Sequence, residues 1–220
     1  MRSVIRIIFV TSALVSAWPA FSASRWYDST HDWTGFYAGI NAGYDWGHSD
    51  LQFQGGPGNA FNTITGVQIG LEGGYNKQFG HFVVGAEASA ATSDLNGDRP
   101  CPNPSFTCSA KLNGMFDVAG RAGYALGDDL LYARGGLGMA DFTHQFPRIV
   151  GTMASDKDTF RHGYLVGAGS EYGFSQSFSA KLEYNYINFG DLKSMDNFNE
   201  VIHDKVITNV VKIGLNYKFD

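Results

Sequence analysis

Three consecutive residues, His48, Ser49 and Asp50, are of the types that form a hydrolytic triad. Triads are defined by the geometry of the three side chains, and neighbours in a chain seldom reach that geometry. We therefore expect no catalysis here. His48 has a second interpretation together with His144 and His203, because all three lie in polar connections and imidazole is a common axial ligand of haem iron. These histidines are candidate haem contacts, and solvated loop histidines are the simpler alternative.

A second set of residues that could do chemistry consists of charged side chains. They lie in segments in which apolar and polar residues alternate with a period of two. The set is Glu72, Glu87, Asp117, Arg121, Arg134, Glu171, Lys181, Glu183 and Lys212. Its five acids nearly balance its four bases. A charge buried without a partner costs several kcal/mol, so buried charges must be paired. The set therefore predicts an ion-pair network inside the molecule.

The two cysteines, Cys101 and Cys108, lie in the segment DRPCPNPSFTCS. Two ligands do not make a zinc site, and no histidine is close in sequence. An exported chain with a cysteine pair is expected to form a disulfide. We therefore predict a disulfide that closes a small loop, and no metal site.

Eight segments could position these residues. In each, apolar residues alternate with small or polar residues, and we call each set of alternate positions, which shares one face of a strand, a parity. The segments cover 33–47, 63–76, 82–92, 112–124, 130–141, 161–173, 178–188 and 206–219. In the first, WTGFYAGINAGYDWG, four glycines fall from Gly35 to Gly47. Glycine is normally poor in strands, so a crowded interior that admits only small residues is the expected reason.

The connections between the segments also alternate in length. NKQFGH, ALGDD and FSQS are short, whereas the polar connections at about 47–62, 93–111, 142–160 and 189–205 are long. Short turns at one end and long loops at the other are typical of outer-membrane barrels. The sequence thus predicts an all-β fold, an eight-stranded antiparallel up-and-down transmembrane β-barrel with both termini on the periplasmic side.

The direction in which the apolar parity faces decides between two classes of barrel. In a soluble barrel it would face inward, and the charged parity would face water without any need to balance. In a membrane barrel it faces lipid, and the charges meet in a lumen that eight strands leave just wide enough for side chains. The near balance of the charges favours the membrane barrel.

Aromatic residues gather near both ends of the segments, as expected at membrane interfaces. Those at the periplasmic end are Trp33, Phe36, Tyr75, Phe82, Tyr124, Tyr172, Phe178, Tyr217 and Phe219, and those nearer the loops are Tyr44, Trp46, Phe142, Tyr164 and Tyr186.

The first 23 of the 220 residues have the pattern of a secretory signal peptide, with two arginines, a short apolar run at 7–15 and small residues after it. The barrel is expected to cover 24–220, with a short periplasmic segment at 24–32. Loss of the two arginines changes the formal net charge from −5 to −7. Such a negative charge argues against nucleic acid as a partner.

The motifs WTGFYAGINAGYDWG, GYLVGAGSEYGF, FSAKLEYNYINFG and VVKIGLNYKF carry a family resemblance. The chain resembles the small outer-membrane β-barrel proteins of alphaproteobacteria, which include surface antigens and hemin-binding proteins and share the barrel of the OmpA transmembrane domain. The resemblance implies a Gram-negative outer-membrane location, contact with membrane lipid and lipopolysaccharide, and insertion by the barrel-assembly machinery.

The expected function is a non-enzymatic structural and surface-interaction role through four extracellular loops, with host surface molecules or hemin as candidate partners. No resident cofactor is expected apart from the haem alternative. A hemin-binding or weakly conducting, porin-like barrel is the second hypothesis. A lipid A-modifying enzyme is a distant third, prompted by the outward parity of His162.

Overall fold

The computed structural model describes residues 31–53, 59–100, 107–145, 156–195 and 201–219. They form one closed barrel in which each strand pairs antiparallel with its neighbours in chain order and the last pairs with the first. The strands are β1 (Gly35–Phe53), β2 (Asn59–Phe79), β3 (Phe82–Pro100), β4 (Thr107–Leu126), β5 (Asp129–Gln145), β6 (Asp156–Gly173), β7 (Phe178–Met195) and β8 (Val201–Lys218). The predicted eight-stranded antiparallel barrel is confirmed. None of the described residues belongs to a helix long and apolar enough to cross a membrane.

One end of the barrel, called the turn end below, carries the short connections at 80–81, 127–128 and 174–177. Gly80 and Gly127 have φ angles of +63° and +67°, a region that glycine enters at low cost. The described residues next to β1 and β8 lie at the same end, since Phe219 donates its backbone N–H to Phe36. The opposite end is called the loop end.

The strands run further toward the loop end than the sequence predicts. The connection expected at 93–111 is mostly strand, because β3 continues to Pro100 and β4 begins at Thr107. The other three long connections shorten in the same way, so the predicted loop bounds are wrong. Period-two alternation reports a strand only where one face meets lipid, and beyond the lipid both faces can be polar.

The outer wall of the barrel is formed by the apolar residues that were predicted to face outward. Leu71 is 66% exposed and Ile69 is 70% exposed, whereas Glu72, between β2 outward positions, is only 4% exposed. Large exposed apolar or aromatic residues cover all eight strands of the wall, for example Phe36, Val67, Phe82, Val118, Leu137, Val166, Leu182 and Ile213. An apolar wall of this kind suits acyl chains, and the soluble-barrel alternative with its apolar face inward is wrong.

The lumen holds two apolar clusters that the prediction of a polar interior did not contain. The lower apolar layer, at the turn end, consists of Trp33, Val83, Ala125, Leu130 and Tyr132. The upper apolar layer, toward the loop end, consists of Met115, Ala119, Ala140, Leu165, Ile187, Phe189, Val206 and Val210. Buried charged residues share the lumen with these two apolar layers.

Candidate functional site: the ion-pair network of the lumen

All nine charged residues predicted to form a network point into the lumen, and each is at most 4% exposed. Strand alternation places them on the inner face, and closure of the barrel brings distant strands together across a narrow interior. Lys181 and Glu87, for example, are 94 positions apart in the chain and lie within hydrogen-bonding distance. We call this set the ion-pair network.

Arg134 holds three carboxylates. Its Nη1 lies 2.6 Å from Oε1 of Glu183 and 3.0 Å from Oε1 of Glu87. Its Nη2 donates to Oδ1 of Asp117, which also accepts a hydrogen bond at Oδ2 from Ser89. A planar guanidinium suits this task because its donors fan out in fixed directions.

Arg121 occupies a neighbouring position and combines ion pairs with aromatic contacts. Nη2 lies 2.6 Å from Oε2 of Glu171, and Nη1 lies 3.3 Å from Oε2 of Glu87. The guanidinium carbon is 4.1 Å from the ring centre of Tyr132 and 5.6 Å from that of Tyr37. Cation–π contacts of this kind strengthen where water is excluded.

The two lysines complete the network. Nζ of Lys181 lies 2.7 Å from Oε1 of Glu72, 3.2 Å from Oε1 of Glu87 and 3.5 Å from Oε2 of Glu183. Nζ of Lys212 is more loosely held, at 3.6 Å from both Asp117 Oδ2 and Glu183 Oε1. Every acid in the set thus has at least one base within ion-pair distance.

Sequence reasoning missed two phenols that belong to the network. Tyr37 donates its hydroxyl to Oε2 of Glu87 at 2.7 Å, and Tyr132 donates to Oε2 of Glu183 at 2.7 Å. Both residues lie on the inward parity of their strands. That parity is the signal in the sequence from which their position in the lumen could have been found.

Two further charges in the lumen were outside the predicted set. Asp45 is fully buried and accepts a hydrogen bond from Ser93 Oγ at 3.2 Å. Arg161 is 4% exposed. Both lie on the inward parity, so the described lumen contains six acids and five bases rather than five and four.

Lumen glycines make room for the long side chains of this network. A Cβ built on Gly74 would lie 2.6 Å from the hydroxyl of Tyr37, and one on Gly169 would lie 2.7 Å from Cζ of Tyr132. A Cβ on Gly167 would lie 3.1 Å from Cγ of Arg134, its register partner on the neighbouring strand. The inward glycines are therefore required by crowding, which is the reason expected from the sequence.

The segment before β1 closes the turn end of the lumen. Trp33 is 3% exposed, and its backbone N–H donates to Oε1 of Gln78 at 2.9 Å. His31 packs against Trp33, with ring centres 4.3 Å apart, and its Nδ1 lies 2.9 Å from the carbonyl oxygen of Ser175. The prediction that Trp33 sits at the membrane interface is wrong, because it shares the inward parity of Tyr37 and fills the mouth instead.

Burial lowers the pKa of His31 below its usual value, and the positive charge of Lys218 lowers this pKa further. Lys218 is held close because its Nζ donates to the carbonyl oxygen of Asp32 at 2.6 Å. His31 is therefore expected to be neutral at physiological pH.

The remaining predicted sites lie outside the described residues. This holds for Cys101 and for the side chains of Cys108, His48, His144 and His203, so the disulfide and the haem contacts stay predictions. Within the described parts of the chain, no group of three or more histidine, cysteine or acidic residues is placed to hold a metal ion. The geometry of the network is that of mutually paired charges, which connect strands across the lumen.

Comparison with known proteins agrees with this architecture. Residues 10–219 match the family model of the outer membrane protein beta-barrel domain. The chain belongs to this family. As a member of the outer membrane protein beta-barrel family, it is an outer-membrane protein that crosses the membrane with strands.

Relatives within this family are similar over most of their length. The 31 kDa outer-membrane immunogenic protein of Brucella melitensis is 32% identical over 100% of both chains. The 22 kDa outer membrane protein of Rhizobium leguminosarum is 31% identical, over 85% of this chain and 78% of that one. The solved structure of OprG from Pseudomonas aeruginosa has a TM-score of 0.57 at 16% identity, over 87% and 99% of the two chains, and thus shares the fold.

Proposed function

We propose that this outer-membrane protein is a non-enzymatic membrane anchor that presents its loop end at the cell surface. One observation carries the proposal. The ion-pair network fills the lumen together with an apolar layer toward each end, so the barrel contains side chains where a pore would contain water. A filled lumen stabilises the wall and leaves the loop end as the surface available to large partners.

The proposed orientation puts both termini in the periplasm. Three features support it: the even number of strands, the short turns at one end, and the position of His31 and Phe219 at that same end. Outer-membrane barrels keep short turns on the periplasmic side and longer loops outside. Insertion by the barrel-assembly machinery is part of the same proposal.

The proposed partners are lipopolysaccharide around the wall and host surface molecules at the loop end. The Brucella relative is named an immunogenic protein. Exposure of the loop end at the cell surface would likewise make this chain accessible to molecules of a host. Adhesion, host contact and shielding are the roles that such a surface supports. Deleting the four long connections one at a time, and measuring the binding of each variant to host cells, tests whether a connection contributes to adhesion and host contact or only to shielding.

Conductance across a planar lipid bilayer tests the filled lumen. We expect the refolded protein to produce no stable large current steps, because ions would have to pass both apolar layers and the paired charges. Stable large steps at neutral pH would reject the proposal in favour of a porin. The chemistry is tested separately by mass spectrometry of lipid A from cells with and without the protein. Any mass change that depends on the protein contradicts a non-enzymatic role.

A further inference from the structure

A depression of about 390 Å³ lies on the barrel near the loop end of β3, β4 and β5. Its lining includes Ala91 of β3, Gly114 and Phe116 of β4, and Met139 and Asp141 of β5. Phe116 and Met139 are register partners on the outward parity. The depression therefore offers an apolar surface to the membrane side of the wall, separate from the ion-pair network.

The opening exists because Gly114 contributes no side chain to the wall. A Cβ at this position would come no closer than 3.6 Å to any neighbour, namely the carbonyl oxygen of Ala91, which is an ordinary contact. Packing within the barrel therefore does not require glycine here, unlike at Gly74. The ladders on both sides of β4 also change register beside Gly114, as expected for a bulge that opens the wall.

Asp141 stands at the edge of this depression, directly across the ladder from Gly114. It is exposed on the outward parity of β5, and no described residue forms an ion pair or hydrogen bond with its carboxylate. Two outward steps toward the turn end lies Leu137, whose register partner is Tyr164 of the loop-side aromatic residues. Asp141 therefore lies nearer the loop end than Tyr164, at the level expected for lipid headgroups.

We propose that this depression binds a lipid that carries a primary amine. The ammonium group pairs with the carboxylate of Asp141, and an alkyl chain lies against Met139 and Phe116. An acid at headgroup level repels lipid phosphates but attracts an ammonium, and partial exclusion of water strengthens that attraction. The alkyl chain gains contact with an apolar surface that Gly114 leaves uncovered.

A divalent cation that bridges Asp141 to an anionic lipid is the competing occupant. Calcium takes six to eight oxygen ligands, and magnesium requires an octahedral set. The described part of the chain places no cluster of acids or histidines at this position. One isolated carboxylate is matched better by one monovalent ammonium, which is the reason for preferring the amine.

The test uses the whole protein refolded in neutral maltoside micelles at pH 7, with dodecylamine and dodecanol as probes. Native mass spectrometry counts the probe molecules retained on the folded barrel. We expect one dodecylamine per protein, and an affinity about two to five times lower in Asp141→Asn. Dodecanol, which has the same chain without the charge, should bind equally to the parent and to Asp141→Asn. Asp129→Asn, at the opposite end of β5, is the matched control and should bind as the parent does.

A second variant tests the shape of the site independently of its charge. Gly114→Leu fills the depression and should weaken both probes, whereas Gly135→Leu, elsewhere on the outward parity, should weaken neither. Heat-dependent migration in gels verifies that each variant is folded, and Asp141→Asn decides alone if Gly114→Leu does not fold. The proposal is overturned by any of three results: dodecylamine binding that is unchanged in Asp141→Asn, an equal loss in Asp129→Asn, or displacement of dodecylamine by micromolar calcium.

Discussion

At the scale of single residues, Arg121 shows how much each member of the network supports. It pairs with Glu171 and Glu87 and lies over the rings of Tyr132 and Tyr37. We expect Arg121→Met to lower the free energy of unfolding by about 3–5 kcal/mol, because a buried carboxylate loses its partner. Urea unfolding in neutral detergent measures this change, and Lys77→Met, which removes an exposed charge of β2, is the control.

The same site allows a double-mutant test of the electrostatic cause. Glu171→Gln in the Arg121→Met background removes the uncompensated charge while the amide can still bond Ser179 and Asn216, which contact Glu171 at 2.6 and 2.9 Å. The double variant should recover part of the lost stability. Strictly additive losses from the two substitutions would mean that packing, and not charge, explains the effect of Arg121.

Glycines on the two faces of the wall provide a second test at this scale. Gly74→Ala should destabilise the barrel by about 1–3 kcal/mol, because the new methyl group would clash with the backbone carbonyl oxygen of Ala86 and force the Tyr37 hydroxyl away from Glu87. Gly135→Ala on the outer face has no neighbour closer than 3.8 Å, and should be neutral or slightly stabilising. Urea midpoints of the two variants provide the comparison, and equal effects would contradict the crowding explanation.

At the scale of the strand, the facing of alternate residues is the property that matters. Leu71 lies on the outer face of β2, with Ile40 and Ala90 as its register partners. We expect Leu71→Arg to cost about 2–4 kcal/mol, since a charge near the middle of the lipid layer is desolvated. Phe79→Arg, also exposed but at the turn end of β2, should cost about 0–1 kcal/mol. A Leu71→Arg variant as stable as the parent in lipid would mean that the assigned facing is reversed.

At the scale of the whole molecule, the barrel is closed around its wall and also at its turn end. β1 pairs with β8 to complete the wall, and the segment at 31–34 fills the mouth between the hairpin turns. His31 links this segment to the β6–β7 turn at Ser175 and lies near Lys218 of β8. Protonation of this one histidine should therefore affect the stability of the entire barrel.

The sign of the pH effect follows from the direction of the pKa shift. The pKa of His31 is lowered in the folded protein, so the unfolded chain binds the proton more readily. Stability should be fully present above about pH 6.5, the ordinary histidine pKa, and should fall as the pH drops below it. Urea midpoints between pH 8 and pH 5 should decline less in His31→Asn than in the parent. His162→Asn, on the outer wall, is the control and should follow the parent, and a parent-like decline in His31→Asn would remove His31 as the cause.

The sequence by itself determined the properties that depend on alternation. The number of strands, the outward direction of residues such as Leu71 and the inward direction of the nine charges all follow from a period of two, since one face meets lipid and the other does not. The short turns follow from glycine and polar residues between apolar runs. The same alternation could not give the loop-end bounds of the strands, because the pattern fades where both faces can be polar.

Only the tertiary structure decided which inward residues meet. Parity says that Glu87 and Lys181 face the lumen, but their contact depends on the curvature, tilt and stagger with which eight strands close. The same closure places Trp33 in the mouth, joins Tyr37 and Tyr132 to the carboxylates, and gathers the upper apolar layer. A one-dimensional pattern specifies the face on which a side chain lies, whereas contacts across a closed interior require the three-dimensional path of the chain.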